Sequence, residues 1–313
     1  ALPSPIPEFV LRKTTADICA IGEAEMTMPK LMDALVGNGN LQDVAGIAYI
    51  KDDEFFHNGN PHLPTKCTKK EVGWPALDLF PLEHYFHSAK FYPFLQSDRA
   101  LPIVTGRGCP YACNFCYRVS AYRIRPVDEV MDEMGYMIDR YKVNSFYFED
   151  DLFMLSHQKM TDFCEAIINR GYKIKYSCSG RVNTVNPEIA RLMKESGCIS
   201  VYYGVESGNQ EILNNMSKKT NLDQIYEAVR LTREQGIYTE YGFIFGEPND
   251  NVQTMLDTIQ LIKNISHGEY RPQKIFGCVP FPGSGLYDWC KEKGLLKNDR
   301  DFYDRYTCQD WSL

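Results

Sequence analysis

The sequence predicts an α/β fold in which parallel strands alternate with helices, as a partial barrel or as a doubly wound sheet. The first observation is a steady alternation, from Leu101 onward, of short apolar runs with amphipathic segments of helical period. The second is the punctuation of the helices: Asn186 and Pro187 form a start signal, while Gly171 and Gly236 follow helical segments. Strand-helix alternation without a chain reversal implies parallel strands joined by right-handed crossovers.

The bulk composition is that of an ordinary globular chain. The 313 residues are 44% hydrophobic and 24% charged, with a formal net charge of -7, which gives no support for a nucleic-acid surface. No apolar run approaches the roughly 18 residues that span a bilayer. The first residues also lack the basic-then-apolar order of a secretory signal. We therefore expect a cytoplasmic protein whose partners include neither a membrane nor a nucleic acid.

The first hundred residues predict a small α/β piece followed by a linker. Residues 17–22 predict a buried strand and residues 23–35 a helix, and residues 44–56 predict a hairpin. Residues 61–99 are rich in Pro, His and aromatic residues without a sustained period. Such a segment is typical of a linker that wraps a surface.

From residue 101 the alternation predicts six strand-helix rounds. The strands are predicted at residues 102–105, 145–150, 173–179, 199–206, 239–246 and 273–280. The helices are predicted at residues 127–141, 157–170, 187–196, 222–235, 252–265 and 285–293. Side chains at the carboxyl ends of parallel strands face one crevice, so ligand-binding residues are expected at those ends.

Three cysteines follow the first predicted strand in a C-x3-C-x2-C spacing: Cys109, Cys113 and Cys116. With 11 cysteines in the chain, such a spacing arises by chance in roughly 1% of cases. Zinc is the first rival, but a structural zinc site has four ligands, usually as two separated pairs. Three thiolates would instead leave one iron of an iron-sulfur cluster open, as a catalytic metal centre requires.

The spacing and its place after the first strand resemble the radical S-adenosylmethionine superfamily over residues 101–295. The resemblance implies a partial (β/α)6 TIM-like barrel in residues 100–295, with a 4Fe-4S cluster on the three cysteines and S-adenosylmethionine on the open iron. It also implies reductive cleavage of that cofactor to a 5′-deoxyadenosyl radical, with flavodoxin or ferredoxin as an external one-electron donor. Phe115 occupies the position where the family keeps an aromatic residue beside the adenine, and Tyr117 is a neighbouring candidate.

The second and third strand ends supply further candidate cofactor-binding residues. Glu149, Asp150 and Asp151 form a run of carboxylates that could accept hydrogen bonds from an ammonium group, and the resemblance places the methionine amine there. A helix cap by Asp150 or Asp151 is the alternative. Ser179 and Arg181 follow the third strand, where a guanidinium would suit the carboxylate of the cofactor. A surface salt bridge is the alternative for that arginine.

The fourth and fifth strand ends complete the series. Glu206 lies in a segment that resembles the lining of the cofactor pocket in several subfamilies, and its alternative is a helix cap by Ser207. Ile244 and Gly246 lie in a stretch similar to the family's G-x-I-x-G, whose apolar residue packs near the adenine. No catalytic residue is assigned from the sequence.

The N-terminal piece resembles the strand-helix unit and linker that precede the barrel in cobalamin-dependent members. The resemblance implies a remnant of a Rossmann-like domain in residues 1–60, a linker in residues 61–99 and the start of a C-terminal extension in residues 296–313. It implies cobalamin in a longer parent protein, and methylation or ring formation on a small molecule or peptide. Two alternatives stay open: a cobalamin-independent radical enzyme acting on a peptide or RNA, and a non-enzymatic iron-sulfur electron carrier.

Overall fold

The computed structural model describes residues 4–88, 99–118, 120–266 and 274–306. The chain divides into two compact units. The first unit comprises Ala1–Thr65, Ala112–Ala121 and Val279–Leu313, and the second comprises Lys66–Tyr111 and Tyr122–Cys278. None of the described helices has the length and apolar character that a bilayer span requires.

The strands and helices are numbered in chain order. The strands are β1 (Ile18–Ala20), β2 (Ile47–Lys51), β3 (Glu54–His57), β4 (Ala100–Ile103), β5 (Gly106–Arg107), β6 (Arg123–Ile124), β7 (Ser145–Phe148), β8 (Lys175–Gly180), β9 (Cys198–Glu206), β10 (Tyr238–Phe245) and β11 (Lys274–Gly277). The helices are α1 (Pro7–Lys13), α2 (Thr27–Leu35), α3 (Lys69–Val72), α4 (Leu82–Ser88), α5 (Val127–Tyr141), α6 (His157–Asn169), α7 (Pro187–Glu195), α8 (Gln210–Asn215), α9 (Leu222–Glu234), α10 (Val252–Ser266), α11 (Gly285–Glu292) and α12 (Asp299–Tyr306).

The second unit is built on a six-stranded sheet in the order β4-β7-β8-β9-β10-β11, and every neighbouring pair is parallel. The sheet is curled as a half-barrel, so the predicted partial (β/α)6 barrel is confirmed. The strand order in the sheet follows the order along the chain, because each connection places the next strand on the same side of the strand before it. All six predicted strands are present, although Gln273, the predicted start of the sixth, lies outside the described residues.

The two faces of this sheet differ in polarity because strand side chains alternate in direction. The outer face packs against the helices through fully buried aromatic side chains, among them Phe146, Tyr176, Tyr203, Tyr241 and Phe243. The alternate positions face the inside of the half-barrel and are polar: Tyr147, Ser177, Tyr202 and Glu240. The outer face therefore holds the core, and the inner face is left for ligands.

The predicted helix signals act as expected. The Asn186 side chain accepts a hydrogen bond from the Ile189 backbone N–H at 2.8 Å, with Pro187 in the first turn of α7. Gly171 and Gly236 adopt φ values of 68° and 67° just beyond α6 and α9, a left-handed conformation that glycine enters without steric cost. Local sequence thus determines where these helices begin and end.

Gly242 on β10 faces the inside of the half-barrel, and an added Cβ there would overlap the hydroxyl of Tyr202. We expect Gly242→Ala to lower the free energy of unfolding by about 1–3 kcal/mol, as overpacking does. Gly277→Ala on β11 is the control, because no atom lies within 4 Å of its added Cβ. Urea unfolding of both variants measures the difference. Equal stabilities would show that the Tyr202 hydroxyl does not lie over Gly242.

The first unit contains a three-stranded sheet in the order β1-β2-β3, and both pairs are antiparallel. The assignment of residues 1–60 to a Rossmann-like remnant stays a prediction, whereas the hairpin predicted in residues 44–56 is confirmed as β2 and β3. The physical reason is the short connection between β2 and β3: Asp52 and Asp53 both have positive φ, 51° and 66°, and form a tight turn that can only join antiparallel strands.

The first unit also includes α11 and α12, which differs from the predicted barrel boundary at residue 295. Tyr287 on α11 packs edge-on against Phe302 on α12 with ring centroids 5.9 Å apart, and Phe9 on α1 packs against Tyr303 at 5.4 Å. The Leu286 backbone N–H donates to the Asn114 carbonyl at 2.8 Å. The helix expected to be the sixth of the barrel, α11, therefore contacts α12 and residues 112–121, and α12 contacts α1.

Candidate cofactor site

A short two-stranded ladder just after β4 brackets the chain segment that carries Cys109. Gly106 and Arg107 of β5 pair antiparallel with Ile124 and Arg123 of β6. Arg125 then fastens the ladder to the barrel, because its guanidinium donates to the Val104 carbonyl at 2.7 Å. The start and the end of residues 108–122 are therefore held together at the carboxyl end of the first barrel strand.

A buried ion pair closes the base of this ladder. The Arg125 guanidinium lies 2.6 Å from the Glu133 carboxylate on α5, and their side chains are only 9% and 4% exposed. Burial raises the pKa of Glu133, and the positive charge of Arg125 opposes that rise. Since α5 begins directly after the ladder, this pair orients the helix and the ladder together.

Asp150 holds the same region from the second barrel strand. Its carboxylate accepts hydrogen bonds from the Thr105 backbone N–H at 2.6 Å, from the Thr105 hydroxyl at 2.5 Å and from Lys159 at 3.1 Å. Its side chain is 1% exposed. Desolvation lowers the pKa of Lys159, and the Asp150 charge partly offsets that decrease. Asp150 is thus an enclosed carboxylate with a structural role, and its role as an acceptor for the ammonium of the cofactor stays a prediction.

Asp151 has a second structural role next to the first cysteine. Its carboxylate accepts a hydrogen bond from the Gly108 backbone N–H at 2.8 Å. Gly108 has φ 72°, a conformation that L side chains rarely adopt. Asp151 therefore stabilises the backbone turn that presents Cys109.

The three predicted thiols are more accessible than most of the other cysteines. Cys109 and Cys113 are half-buried and Cys116 is exposed. The Cys116 backbone N–H donates to the Cys113 carbonyl at 3.2 Å, so a single turn of the first unit carries both residues. Within the described ranges, no three His, Cys, Asp or Glu side chains are gathered closely enough for a metal ion. The donor chemistry, three accessible thiols in one segment, fits an iron-sulfur cluster with an open iron.

Arg181 lies just after β8, and its guanidinium lies over the ring of Tyr111 at 3.8 Å from the centroid. Tyr111 is two residues beyond Cys109, and Arg181 is 5% exposed. Arg181 is thus a buried side chain and not the surface residue that the alternative of a surface salt bridge requires. The stacking on Tyr111 also orients the guanidinium of Arg181. A guanidinium held in this way can bind a carboxylate through two parallel hydrogen bonds.

The inner face of the half-barrel encloses a polar cavity of about 180 Å³. Its lining includes the predicted residues Glu149 and Ser179, together with Ser177, Ser200 and Tyr202. No hydrogen bond to the Glu149 carboxylate or to these hydroxyls is formed by any residue that the structure describes. Burial, with smaller contributions from Glu206 and Glu240, raises the pKa of Tyr202 to about 12. Tyr202 is therefore a protonated donor at neutral pH.

The far side of this cavity carries an ion pair that the sequence did not predict. Lys274 on the edge strand β11 lies 3.4 Å from the Glu240 carboxylate and 4.7 Å from the centroid of the Tyr202 ring. The Glu240 side chain is 19% exposed and the Lys274 side chain 50%. The cavity lining thus combines hydroxyl donors, the carboxylates of Glu149, Asp150 and Glu240, and the ammonium group of Lys274.

Glu206 ends β9 in a strained conformation. A β-bulge there pairs Gly204 with Gly242 and Glu206 with Phe243, and Glu206 has φ 70°. Such a non-glycine conformation persists only where the surroundings enforce it. The carboxylate bends back toward Gly204, where an added Cβ would lie 2.6 Å from it.

Lys218, from the segment after α8, is the partner of Glu206 and is the main site residue that sequence reasoning missed. Its ammonium lies 2.5 Å from the Glu206 carboxylate, and the two side chains are 8% and 10% exposed. A lysine in a loop gives no periodic signal. The run Ser217-Lys218-Lys219 resembles any solvated turn, and only the tertiary structure shows that the middle lysine points inward.

The remaining candidates have different surroundings. Ile244 is half-buried at the end of β10, and Gly246 follows it with φ 87°, its N–H donating to Asp250 at 2.9 Å. In the first unit, Phe115 is half-buried. The Tyr117 ring lies against Gly283, where an added Cβ would be 2.6 Å from two ring carbons. The observed contact of Tyr117 is therefore a packing contact.

The sequence comparisons agree with this geometry. The family model described as the radical SAM superfamily matches residues 103–262, just over half of the chain. The chain is 30% identical over 295 residues to a Pyrococcus horikoshii protein named as an uncharacterized methyltransferase, covering 93% of this chain and 61% of that one. It is 27% identical over 255 residues to the anaerobic magnesium-protoporphyrin IX monomethyl ester cyclase of Cereibacter sphaeroides, covering 78% and 40%. The chain thus spans about half the length of these curated relatives.

The structural comparison gives the same fold. TsrM from Kitasatospora setae, a radical S-adenosylmethionine methyltransferase solved with cobalamin and a [4Fe-4S] cluster bound, superposes with a TM-score of 0.75. The match covers 93% of this chain and 56% of that chain at 17% identity. Similarity at that identity shows the fold alone.

Proposed function

Since the chain belongs to the radical S-adenosylmethionine superfamily, we propose that it binds a 4Fe-4S cluster and cleaves S-adenosylmethionine reductively. The observation that carries the proposal is the position of the C-x3-C-x2-C segment directly after β4, the first strand of a parallel half-barrel. When bound, the reduced cluster supplies the electron that splits the cofactor into methionine and a 5′-deoxyadenosyl radical.

The thiolates of Cys109, Cys113 and Cys116 are the proposed iron ligands. Gly108 and its hydrogen bond to Asp151 support this role, because they shape the backbone at the first ligand. An open iron is the site at which the amino and carboxylate groups of S-adenosylmethionine bind in this family. An external one-electron donor such as flavodoxin or ferredoxin is the proposed source of the electron.

The inner face of the half-barrel is the proposed binding surface for the cofactor and the substrate. Glu149 accepts from the methionine ammonium, because it lines the cavity, whereas Asp150 and Asp151 accept hydrogen bonds from Thr105 and Gly108. Arg181 binds the methionine carboxylate, and its stacking on Tyr111 orients it for this contact. The Ser179 and Tyr202 hydroxyls bind polar groups, while Ile244 supplies an apolar contact for the adenine.

Glu206 and Lys218 are proposed to act together, as an ion pair, at the rim of this surface. The ion pair neutralises a carboxylate that would otherwise repel the methionine carboxylate. It also leaves the remaining lone pairs of Glu206 as acceptors for a ribose hydroxyl. This role follows from the bulge that turns Glu206 toward the inner face.

The reaction of the parent protein is proposed to be a methylation or ring formation at an unactivated carbon of a small molecule or peptide, with cobalamin as a further cofactor. The support is the similarity to a named methyltransferase and a named cyclase and to the fold of a cobalamin-bound structure. The visible spectrum of the full-length parent, purified with cobalamin present, tests the cobalamin assignment. A cobalt-free protein would contradict it.

The cleavage is tested with the wild-type chain reconstituted anaerobically with iron and sulfide. We expect about four irons per chain, binding of S-adenosylmethionine, and release of 5′-deoxyadenosine after dithionite is added. Chromatography of the quenched reaction measures the nucleoside. A fully loaded protein that binds the cofactor but never releases 5′-deoxyadenosine would contradict the proposed enzyme and favour an electron carrier.

A further inference from the structure

Tyr122 has a buried phenol hydroxyl beside the cysteine segment. The hydroxyl oxygen is shielded from solvent and makes no hydrogen bond with any residue in the described part of the chain. A buried hydroxyl without a partner is unfavourable, so such groups are uncommon in folded proteins. Tyr122 is not among the residues proposed above to bind the cluster, the cofactor or the substrate.

The ladder of β5 and β6 places Tyr122 next to Cys109. Gly106 pairs with Ile124 and Arg107 with Arg123, so Gly108 and Tyr122 directly follow the last pair, and Cys109 is the next residue after Gly108. Directly opposed residues share a face of the ladder, and so do residues two positions apart. Ile124 is opposite Gly106 and two positions from Tyr122, so Gly106 and Tyr122 lie on the same face.

That face is turned toward the second barrel strand. A Cβ added to Gly106 would lie 3.5 Å from the Asp150 carboxylate. In agreement with this placement, burial raises the pKa of Tyr122, and the charges of Asp150 and Cys109 raise it further. The phenol is therefore protonated at neutral pH, and it lies close to the first proposed iron ligand.

The Tyr122 hydroxyl makes no hydrogen bond to Asp150, whose carboxylate accepts from Thr105 and Lys159 instead. We propose that the Tyr122 hydroxyl donates a hydrogen bond to a sulfur atom of the bound cluster, either the Cys109 thiolate or a sulfide on the same iron, and thereby makes the cluster easier to reduce. The inference rests on the proposed function. The electrostatic reason is that reduction adds negative charge to the sulfurs, and a donor stabilises that charge.

The test compares the reduction potential of the wild-type chain with that of Tyr122→Phe, both reconstituted with a cluster. This change removes the hydroxyl and keeps the ring. We expect the variant to bind the same amount of iron as the wild type. Its midpoint potential should be more negative by about 59 mV, which corresponds to a roughly tenfold smaller equilibrium constant for one-electron reduction. A redox titration followed by electron paramagnetic resonance measures the midpoint without any turnover.

Tyr226→Phe is the matched control, because Tyr226 lies on α9, is 42% exposed and bonds only to Asn264 among the described residues. Its midpoint should equal that of the wild type. After exchange into deuterium oxide, the reduced wild-type cluster should also show one exchangeable-deuteron coupling that Tyr122→Phe lacks.

The iron content and the midpoint potential together decide between the inference and its alternatives. Equal midpoints in cluster-loaded wild type and Tyr122→Phe would overturn this inference and leave the proposed function intact. Loss of iron in Tyr122→Phe would also overturn it, because the hydroxyl would then be holding the segment rather than tuning the potential. A wild-type chain that takes up no cluster would overturn both the inference and the proposed function.

Discussion

Replacing Cys116 with serine is expected to abolish both the visible absorbance of the reconstituted cluster and the formation of 5′-deoxyadenosine. A hydroxyl is a poor ligand for iron at neutral pH, and a cluster held by two thiolates would be lost. Cys116 is the most accessible of the three thiols, so its loss leaves no buried cavity and should not change the fold. Iron analysis, the visible spectrum and the nucleoside assay measure the three consequences.

Cys19→Ser is the matched control for this prediction. Cys19 lies in β1 of the first unit, and burial raises the pKa of its thiol, so it remains protonated and unsuited to bind iron. The control should retain its iron and its nucleoside formation. A Cys116→Ser protein that retained a full cluster and cleaved the cofactor would show that Cys116 is not a ligand.

Replacing Lys159 with methionine is expected to lower the free energy of unfolding by about 3–5 kcal/mol, since it leaves the Asp150 carboxylate buried without its counter-charge. The Lys159 and Asp150 side chains are 5% and 1% exposed, so solvent cannot replace the lost partner. Lys159 also lies 5.1 Å from the centroid of the Phe153 ring. Methionine has a similar length and can fill that space. Urea unfolding measures the change.

The double variant Asp150→Asn, Lys159→Met separates charge from packing. The asparagine Oδ1 can still accept from the Thr105 backbone N–H, its Nδ2 can donate to the Thr105 hydroxyl oxygen, and no unpaired charge is buried. We expect it to regain most of the lost stability. If the double variant were as unstable as Lys159→Met alone, the loss would come from packing and not from the unpaired carboxylate.

Much of the fold was predictable because it depends on local patterns. Apolar runs and helical periods located the six barrel strands and the helices between them, and the Asn186 cap and Gly171 located helix ends to within a residue. These signals act over a few neighbouring residues, so no tertiary information is needed to read them. The hairpin of β2 and β3 was predicted, but the antiparallel pairing of β1 with β2 was not, because it joins strands that are distant along the chain.

The candidate site was predicted in part, for the same reason. The spacing of Cys109, Cys113 and Cys116 is a local pattern and was recognised directly. The run Glu149-Asp150-Asp151 could not be divided by sequence, because three adjacent carboxylates look alike. The structure gives them separate roles: Glu149 faces the inner cavity, Asp150 is enclosed by Thr105 and Lys159, and Asp151 binds the Gly108 backbone.

The sequence by itself determined the strand-helix alternation, the cysteine segment and its place after the first barrel strand, since each is a short-range pattern along the chain. Only the tertiary structure brought Lys218 to Glu206, Arg181 to Tyr111 and Tyr122 to the Cys109 segment. Those contacts join residues that are distant along the chain. Burial then decides which charges must be paired, because an unpaired charge is stable in water and costly inside a protein.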